Sequence, residues 1–209
     1  KNKNLNISFV GHACSHADSC QNKNNILVST SKLNRIISFD SVNGIIKVEP
    51  GVSISKILSI IIPHNWFMAC VPGSLDVTIG GAIAFDVHGK DSMHKGSFCD
   101  HVIDFKIIDG LGSEKYLSTR SNEKDLNFIL GGMGLFGFIT EITIKLQEIP
   151  SFYLDVNKIP SSSISESIDI LEDKASYDFA IGWIDTFSKD QSIGRGFVKI
   201  ASWNSSPIN

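Results

Sequence analysis

Two segments of small residues, far apart in the chain, limit how this protein can fold. The first runs from Gly11 to Ser19 directly after an apolar stretch, and the second is Thr78-Ile79-Gly80-Gly81-Ala82. Backbone N–H groups flanked by so little side-chain bulk can bind an anion without a lysine. Each segment also has a purely structural interpretation: the first as a polar loop, and the second as close helix–sheet packing in a core.

The charge balance of the chain argues against several classes of protein. Its 209 residues include 19 Lys+Arg and 22 Asp+Glu, a formal net charge of −3. A nucleic-acid-binding protein normally carries a basic face, so we expect no nucleic-acid partner. No stretch reaches the roughly 18 consecutive apolar residues that a membrane span needs, and residues 1–6 lack the apolar core of a signal peptide.

The cysteines and histidines follow no ligand pattern. Cys14, Cys20, Cys70 and Cys99 are scattered without a pairwise motif, which is typical of reduced thiols in a cytosolic environment. None of the six histidines stands at a regular spacing from a cysteine or another histidine. We therefore predict no metal site, and we expect a cytoplasmic location.

The pattern over the first two thirds of the chain predicts short strands with a few helices. Asn43-Gly44 between two β-rich runs indicates a hairpin. Ser53 precedes apolar residues at helical spacing, and Pro63 is expected to end that helix. Residues 67–97 are rich in glycine yet apolar, so we predict a buried loop system there. Further strands are expected at 6–10, 102–108, 115–117 and 138–146, with a helix from Ser121.

Pro150 marks the expected boundary between two domains. Beyond it the pattern predicts a strand at 152–156, then a helix from Ser163 with Ile164, Ile168 and Leu171 facing inward. Two more strands are expected at 177–184 and 196–202. A sheet of so few strands rarely stands alone, so we interpret 151–209 as the beginning of a second domain.

One glycine motif is misleading. Gly132-Met133-Gly134-Leu135-Phe136-Gly137 fits G-x-G-x-x-G, but a dinucleotide-binding fingerprint needs a strand before it and a helix after it. Here the expected order is reversed. The motif instead predicts a tight helix-to-strand turn in which glycines supply positive φ angles.

The segment His88-Gly89-Lys90 ends an apolar run and places two polar side chains at its edge. A single histidine there would more often be a satisfied core residue than a functional one. A lysine at the edge of a loop is often simply solvated. The two side chains together favour a functional site.

Four motifs in one order resemble a known family. They are Gly11 to Ser19, Pro72-Gly73 with Thr78 to Ala82, His88-Gly89-Lys90, and Gly131 to Gly137. Together they resemble the FAD-binding domain of the vanillyl-alcohol oxidase/p-cresol methylhydroxylase (PCMH) superfamily, and within it the oxidase subunits of decaprenylphosphoryl-β-D-ribose 2-epimerases. The resemblance implies an α+β fold: a two-subdomain PCMH-type FAD-binding domain at 1–150, followed by the truncated start of an α+β substrate domain at 151–209.

The resemblance also implies a set of site residues. The loop from Phe9 to Ser19 would hold the FAD diphosphate, His88 would lie beside the flavin, and Ile139 would touch the cofactor through its backbone. Lys90 and Gly73 would line the substrate pocket. The full set of implied cofactor-binding residues is Phe9, Val10, Gly11, His12, Ala13, Cys14, Ser15, His16, Ala17, Asp18, Ser19, Pro72, Gly73, Thr78, Ile79, Gly80, Gly81, His88 and Ile139.

Three departures from the family pattern matter. The family usually has glycine where this chain has Ala13 and Ala17, which costs conformational freedom if a positive φ is required there. Relatives that attach flavin covalently carry histidine at the position of Cys14, and epimerase-type oxidases carry arginine, so we predict non-covalent FAD. The family's catalytic lysine and flavin-contacting tyrosine are expected beyond Asn209, and its opening strands before residue 1, so the chain is interpreted as an internal piece of a longer protein.

The function implied by the resemblance is FAD-dependent oxidation of a secondary alcohol on a sugar. The expected reaction converts the 2-hydroxyl of a polyprenylphosphoryl ribofuranose to a ketone, serves cell-wall polysaccharide biosynthesis, and involves a short-chain reductase as partner. Because such substrates are lipid-linked, membrane association stays open. Two alternatives remain: a sugar-lactone or alditol oxidase of the same superfamily, and a non-catalytic FAD-binding module.

Overall fold

The computed structural model describes residues 5–119, 121, 126, 128–173 and 177–205. It divides into two compact units, Lys1–Gly89 with Ser97–Glu148, and Lys90–Gly96 with Ile149–Asn209. Both units combine helices with sheets whose strands are mostly antiparallel. The predicted α+β class is therefore confirmed. In the described part of the chain, no helix is long and apolar enough to cross a lipid bilayer.

The first unit contains a parallel strand pair and a larger antiparallel sheet. Strands β1 (Ile7–Val10) and β2 (Ile26–Ser29) pair in parallel. The larger sheet has the order β3-β4-β8-β6-β7, and β5 also pairs with β8. Its strands are β3 (Ile36–Asp40), β4 (Ile45–Val48), β5 (Trp66–Met68), β6 (Val102–Ile108), β7 (Glu114–Ser118) and β8 (Phe138–Glu148).

The hairpin between β3 and β4 forms as the sequence predicts. Gly44 has a φ of +60°, and the Asp40 carboxylate accepts hydrogen bonds from the N–H groups of Val42 and Asn43, both at 2.9 Å. The Trp66 ring covers Gly44 so closely that an added Cβ would lie 2.3 Å from it. The turn therefore needs glycine for both its backbone angle and its packing.

Helix α1 (Ile54–Ile61) follows this hairpin and confirms its predicted start and end. The Ser53 hydroxyl accepts a hydrogen bond from the Lys56 N–H at 3.3 Å, which caps the helix. Ile54, Ile57, Leu58 and Ile61 are buried along one face. A 3-10 turn at Ile62–His64 contains Pro63 and ends the helical segment.

The region 67–97 is more regular than the predicted loop system. It contains part of β5, the short helix α2 (Ile79–Ala84), and helix α3 (Ser92–Lys95), which belongs to the second unit. Ile79, Ala82 and Ile83 of α2 are buried at helical spacing. The loop prediction was wrong here because six residues, two of them glycines, are too few to show a helical period.

The glycine-rich segment before β8 is the tight turn that the sequence predicts. Gly131, Gly134 and Gly137 have φ angles of +74°, +73° and +151°. Strand β8 follows directly, so the motif has the opposite element order from a dinucleotide-binding fingerprint. The helix expected from Ser121 falls largely on residues 122–125 and 127, which lie outside the described residues, although Leu126 is buried in the core.

The second unit is a three-stranded antiparallel sheet with one main helix. Strands β9 (Leu154–Ser161), β10 (Phe179–Ile184) and β11 (Gly196–Trp203) have the order β10-β11-β9, and α4 spans Ile164–Glu172. The first strand begins at Leu154 rather than at Phe152. The segment 90–96 belongs to this unit, since the Ala180 N–H donates to the Lys90 carbonyl at 2.8 Å.

Helix α4 begins after its Ser163 cap as predicted, but the predicted inward face was partly wrong. Ile164 and Ile168 are 44% and 47% exposed. Ile170 and Leu171 instead pack against the cluster of Tyr177, Val198 and Ile200. Ser167 is buried, and its hydroxyl hydrogen-bonds the Ser161 hydroxyl at 2.7 Å. A serine therefore occupies an inward position at which the apolar pattern predicts an isoleucine.

Candidate functional site

The two small-residue segments meet in the first unit. Gly11 follows β1 and lies so close to Thr78 that an added Cβ would be 2.2 Å from the Thr78 hydroxyl oxygen. One residue further on, the His12 Nδ1 lies 2.8 Å from the Asp76 carbonyl oxygen, which is a hydrogen bond when that nitrogen is protonated. The fold therefore joins the Gly11–Ser19 loop to the segment that leads into α2.

The loop itself uses backbone angles that glycine normally provides. Ala13 and Ala17 both have a φ of +54°, in the left-handed region. This is the conformation whose cost the sequence analysis raised for these two alanines. The Ser19 hydroxyl donates to the His16 carbonyl at 2.8 Å, and the side chains of residues 12–14 and 16–19 are exposed. The loop therefore presents small, accessible groups along its length.

The two glycines of α2 have different surroundings. Thr78 caps this helix, with its hydroxyl accepting from the Gly81 N–H at 3.3 Å. An added Cβ at Gly80 would lie 2.8 Å from the Pro50 Cβ, so Gly80 is needed for packing. At Gly81 an added Cβ would meet only the Thr78 hydroxyl, at 3.2 Å. Gly81 therefore keeps open space that the packing of the protein does not use.

A charged pair holds the backbone beneath Gly80. The Gly80 N–H donates to the Pro50 carbonyl at 2.8 Å, and Glu49 precedes that proline. The Glu49 carboxylate is buried and accepts hydrogen bonds from the Arg35 backbone N–H, Nε and Nη2 at 2.8, 2.9 and 2.7 Å. These bonds from Arg35 hold the pKa of Glu49 below its usual range.

The start of β8 lies beside the end of β1. The rings of Phe9 and Phe138 stack with centroids 4.3 Å apart and an interplanar angle of 22°. Ile139 follows Phe138, is 8% exposed, and pairs with Ile107 of β6. The structure thus places Phe138, the residue before Ile139, against Phe9 of β1.

The remaining predicted residues are less tightly placed. Pro72 is half-buried, while Gly73 is exposed and has nothing within 4 Å of an added Cβ, so packing does not require glycine there. His88 is exposed and belongs to the first unit. Lys90 is also exposed but belongs to the second unit.

The turn after α2, which leads toward His88, is fixed by a residue that the sequence analysis did not single out. Asp86 has a φ of +42°, and its carboxylate accepts the Cys99 N–H at 2.9 Å. Burial raises the pKa of the Cys99 thiol, and the neighbouring Asp86 adds to the shift. Asp76, Pro50 and Phe138 were also missed, because a carbonyl contact or a ring stack between distant segments leaves no local sequence signal.

Two other features of the described residues lie outside this set. A cavity of about 320 Å³ is lined by Lys115, Leu117, Phe128, Ile129 and Phe136, none of which the sequence analysis proposed. All four cysteines have free thiols, with Cys14 exposed. Within the described ranges, no group of three or more His, Cys, Asp or Glu residues is placed to hold a metal ion.

A comparison with known protein families identifies the family to which a chain with these two segments belongs. The FAD binding domain family matches residues 1–118, which is more than half of the chain. The chain belongs to the FAD binding domain family. Both small-residue segments fall inside the matched range, and FAD is the cofactor that this membership assigns.

The chain is also similar to several individual proteins. The chain is 31% identical to decaprenylphosphoryl-beta-D-ribose oxidase of Mycolicibacterium smegmatis over 90% of this chain and 42% of that protein. It is 25% identical to D-lactate dehydrogenase of Anaerostipes hadrus over 68% of this chain and 31% of that enzyme. It is 23% identical to D-arabinono-1,4-lactone oxidase of Candida glabrata over 73% of this chain and 29% of that enzyme. The chain thus spans less than half the length of these relatives.

The geometry fits a dinucleotide flavin. The Gly11 backbone approaches Thr78 more closely than any side chain would permit, and Gly81 leaves a space beside the Thr78 hydroxyl that a Cβ would begin to fill. A diphosphate needs main-chain N–H donors with room to approach, which the exposed Gly11–Ser19 loop can offer. The N–H groups of Ile79, Gly80 and Gly81 are bonded within the protein, so the second segment contributes open space beside the Thr78 hydroxyl. The residues present therefore suit the cofactor of the family.

Proposed function

We propose that the protein is an FAD-dependent oxidoreductase that oxidises a secondary alcohol on a sugar. The observation that carries this proposal is the contact between Gly11 and Thr78, which joins the two segments expected to hold the cofactor. In this proposal the first unit is the FAD-binding domain and the second unit belongs to the beginning of a substrate domain. The isolated chain is expected to bind FAD without turning over substrate, because none of the residues that this proposal assigns is a general base.

Each group of residues has a role in this proposal. The main chain of residues 9–19 binds the diphosphate, with Pro72, Gly73 and residues 78–81 completing the cradle. His88 lies beside the flavin ring, and Ile139 contacts the cofactor through its backbone. The chemistry that FAD supplies when bound is acceptance of two electrons from a CH–OH carbon. Lys90 binds substrate and stabilises the negative charge that develops on the alcohol oxygen.

The proposed substrate is a polyprenylphosphoryl ribofuranose. Its 2-hydroxyl is oxidised to a ketone, which a partner short-chain reductase then reduces. The support is the similarity to decaprenylphosphoryl-beta-D-ribose oxidase over 90% of the chain. The second candidate is a sugar-lactone or alditol oxidase, favoured by the 23% identity to D-arabinono-1,4-lactone oxidase. Anaerobic loss of flavin absorbance in the full-length protein distinguishes them: bleaching by the polyprenyl sugar supports the first, and bleaching only by lactones or alditols supports the second.

Binding of FAD at the cradle is tested by Gly81→Val. Because only the Thr78 hydroxyl lies near a Cβ at this position, the valine should leave a folded protein while its methyl groups enter the space meant for the cofactor. We expect loss of bound flavin with an unchanged circular dichroism spectrum. Gly110→Val is the matched control, since an added Cβ there meets nothing within 4 Å. A folded Gly81→Val protein that retains its yellow colour would contradict the site.

Non-covalent attachment is tested by acid precipitation. We expect all flavin in the supernatant, since an exposed Cys14 stands where covalently flavinylated relatives carry histidine. The exposed thiol should also react with a disulfide reagent in the flavin-loaded protein. A pellet that keeps flavin fluorescence, together with an unreactive Cys14, would show that the attachment is covalent.

A further inference from the structure

The outer face of the three-stranded sheet in the second unit combines two lysines with aromatic rings. Along β11, Val198 and Ile200 are buried on the α4 side, so Phe197 and Lys199 lie on the opposite face. Lys158 of β9 is the direct cross-strand partner of Lys199. Trp183 of β10 is the direct partner of Phe197. The four side chains therefore share one face.

The two ammonium groups converge on one ring. The Lys158 Nζ lies 3.9 Å from the Phe197 ring centroid, and the Lys199 Nζ lies 5.8 Å from the same centroid. The Trp183 ring is roughly parallel to Phe197, with centroids 6.4 Å apart, and is 58% exposed. Cation–π contacts hold both lysines over the sheet, beside an aromatic surface that solvent can reach.

The charge of this cluster is not balanced by the protein. Among the residues that the structure describes, neither lysine has a carboxylate within ion-pairing distance, whereas Arg195, the residue before β11, pairs with Asp185 at 3.0 Å. Like charges directly opposite each other across two strands are destabilising. An anion placed between the ammonium groups would remove that repulsion.

We propose that Lys158, Lys199, Phe197 and Trp183 form a binding site for a small phosphate monoester that carries a flat or ring-shaped organic group. A phosphate monoester has a charge of about −1.5 to −2 at neutral pH, which complements two ammonium groups, whereas a carboxylate balances only one. Each ammonium donates charge-assisted hydrogen bonds to phosphate oxygens. The exposed Trp183 ring offers its face to the organic part of the ligand. The site uses no cofactor and does not depend on the proposed oxidation.

Phenyl phosphate is a suitable probe because it joins a phosphate monoester to a ring. We expect saturable binding by the purified protein, measured by calorimetry and by tryptophan fluorescence at constant ionic strength, and no comparable binding of phenol. Trp183→Phe should remove the fluorescence change while the calorimetric signal remains. The double variant Lys158→Gln/Lys199→Gln should weaken binding at least about tenfold, the loss expected when charged hydrogen bonds are removed.

The matched control is Lys32→Gln/Lys189→Gln, which removes the same charge from two exposed lysines elsewhere. Its affinity for phenyl phosphate should stay close to that of the unaltered protein. Equal weakening in both double variants would show a general charge effect and overturn the site, as would the absence of saturable binding. A dimer that Lys158→Gln/Lys199→Gln abolishes, without phenyl phosphate binding, would assign the face to a second copy of the chain instead. Because all four lysines are exposed, the glutamine variants should fold.

Discussion

At the scale of single residues, Ala13 and Ala17 show what the cofactor loop demands of the backbone. Both hold a φ of +54°, where an alanine Cβ is crowded by the neighbouring carbonyl. The family pattern leads one to expect glycine at these positions, and the left-handed angle of both alanines explains why. The loop keeps its conformation although each alanine raises its free energy.

Replacing one of these alanines should therefore stabilise the protein. Ala17→Gly relieves about 1–2 kcal/mol of backbone strain and loses roughly 0.5–1 kcal/mol to the greater freedom of the unfolded chain. We expect a net gain of up to about 1 kcal/mol in the free energy of unfolding, measured by urea denaturation. Ala201→Gly in β11, a residue with an extended backbone, is the control and should lose stability. A loss with Ala17→Gly as well would show that residue 17 is not left-handed in solution.

Glu49 gives the protein a pH dependence with a defined sign. Its pKa is lowered in the folded state by hydrogen bonds from Arg35, so its contribution is complete above the pKa of an unfolded glutamate and is lost as the pH falls through the folded value. Arg35→Met should lower the melting temperature at neutral pH. The difference from the unaltered protein should shrink in acid, where Glu49 is protonated in both. A difference that stays constant down to acidic pH would show that Arg35 acts through packing alone.

At the scale of secondary structure, the sequence correctly predicted those elements that are specified by their own residues, such as a turn, a helix cap or an alternating pattern. The β3–β4 hairpin follows from Asn43-Gly44, helix α1 from its Ser53 cap, and β8 from strict alternation. Helix α2 escaped prediction because its Thr78 cap precedes only six helical residues, two of them glycine. In α4, the hydrogen bond between Ser161 and Ser167 turned a polar residue inward, which apolar patterning cannot show.

In the candidate site too, features specified by neighbouring residues could be predicted, whereas contacts between distant segments could not. Residue types and spacing pointed to both small-residue segments, and to the family that has them. They could not show that Gly11 packs on Thr78 or that Asp76 meets His12, because such contacts depend on how distant strands pair. Nor could they show that Lys90 lies in a different unit from His88.

The requirement for glycine at position 44 of the β3–β4 hairpin can be tested by substitution. Gly44→Ala would force a side chain into the left-handed region and bring its Cβ 2.3 Å from the Trp66 ring. We expect the free energy of unfolding to fall by about 2 kcal/mol or more, since strain and overpacking add. Gly110→Ala, in a turn with open space, should change stability little. Comparable stability in the two variants would mean that Trp66 does not cover the turn.

At the scale of the whole molecule, the second unit is built from two separate pieces of the chain. Besides the Lys90 carbonyl, His94 contributes, with its ring packed edge-on against Tyr177 at 5.1 Å between centroids. Tyr177 is buried and donates its hydroxyl to the Leu171 carbonyl. One tyrosine thus connects α3, α4 and the sheet.

Tyr177→Ala should loosen this unit selectively. We expect faster hydrogen exchange at the amides of His94, Lys95 and strand β11, because their opening would cost less free energy. The amides of β4 and β8 in the first unit should exchange as before. Tyr177→Phe, which keeps the ring against His94, should show a smaller effect. Uniformly faster exchange across both units would mean that the protein opens as one cooperative body.

Because residues 90–96 belong with 149–205, the polypeptide passes between the units three times, after Gly89, Gly96 and Glu148. A chimera made by a single exchange with a relative at Pro150 would therefore inherit a sheet from one parent and the α3 segment that packs on it from the other. An exchange that keeps this unit intact has to carry both pieces of the chain together.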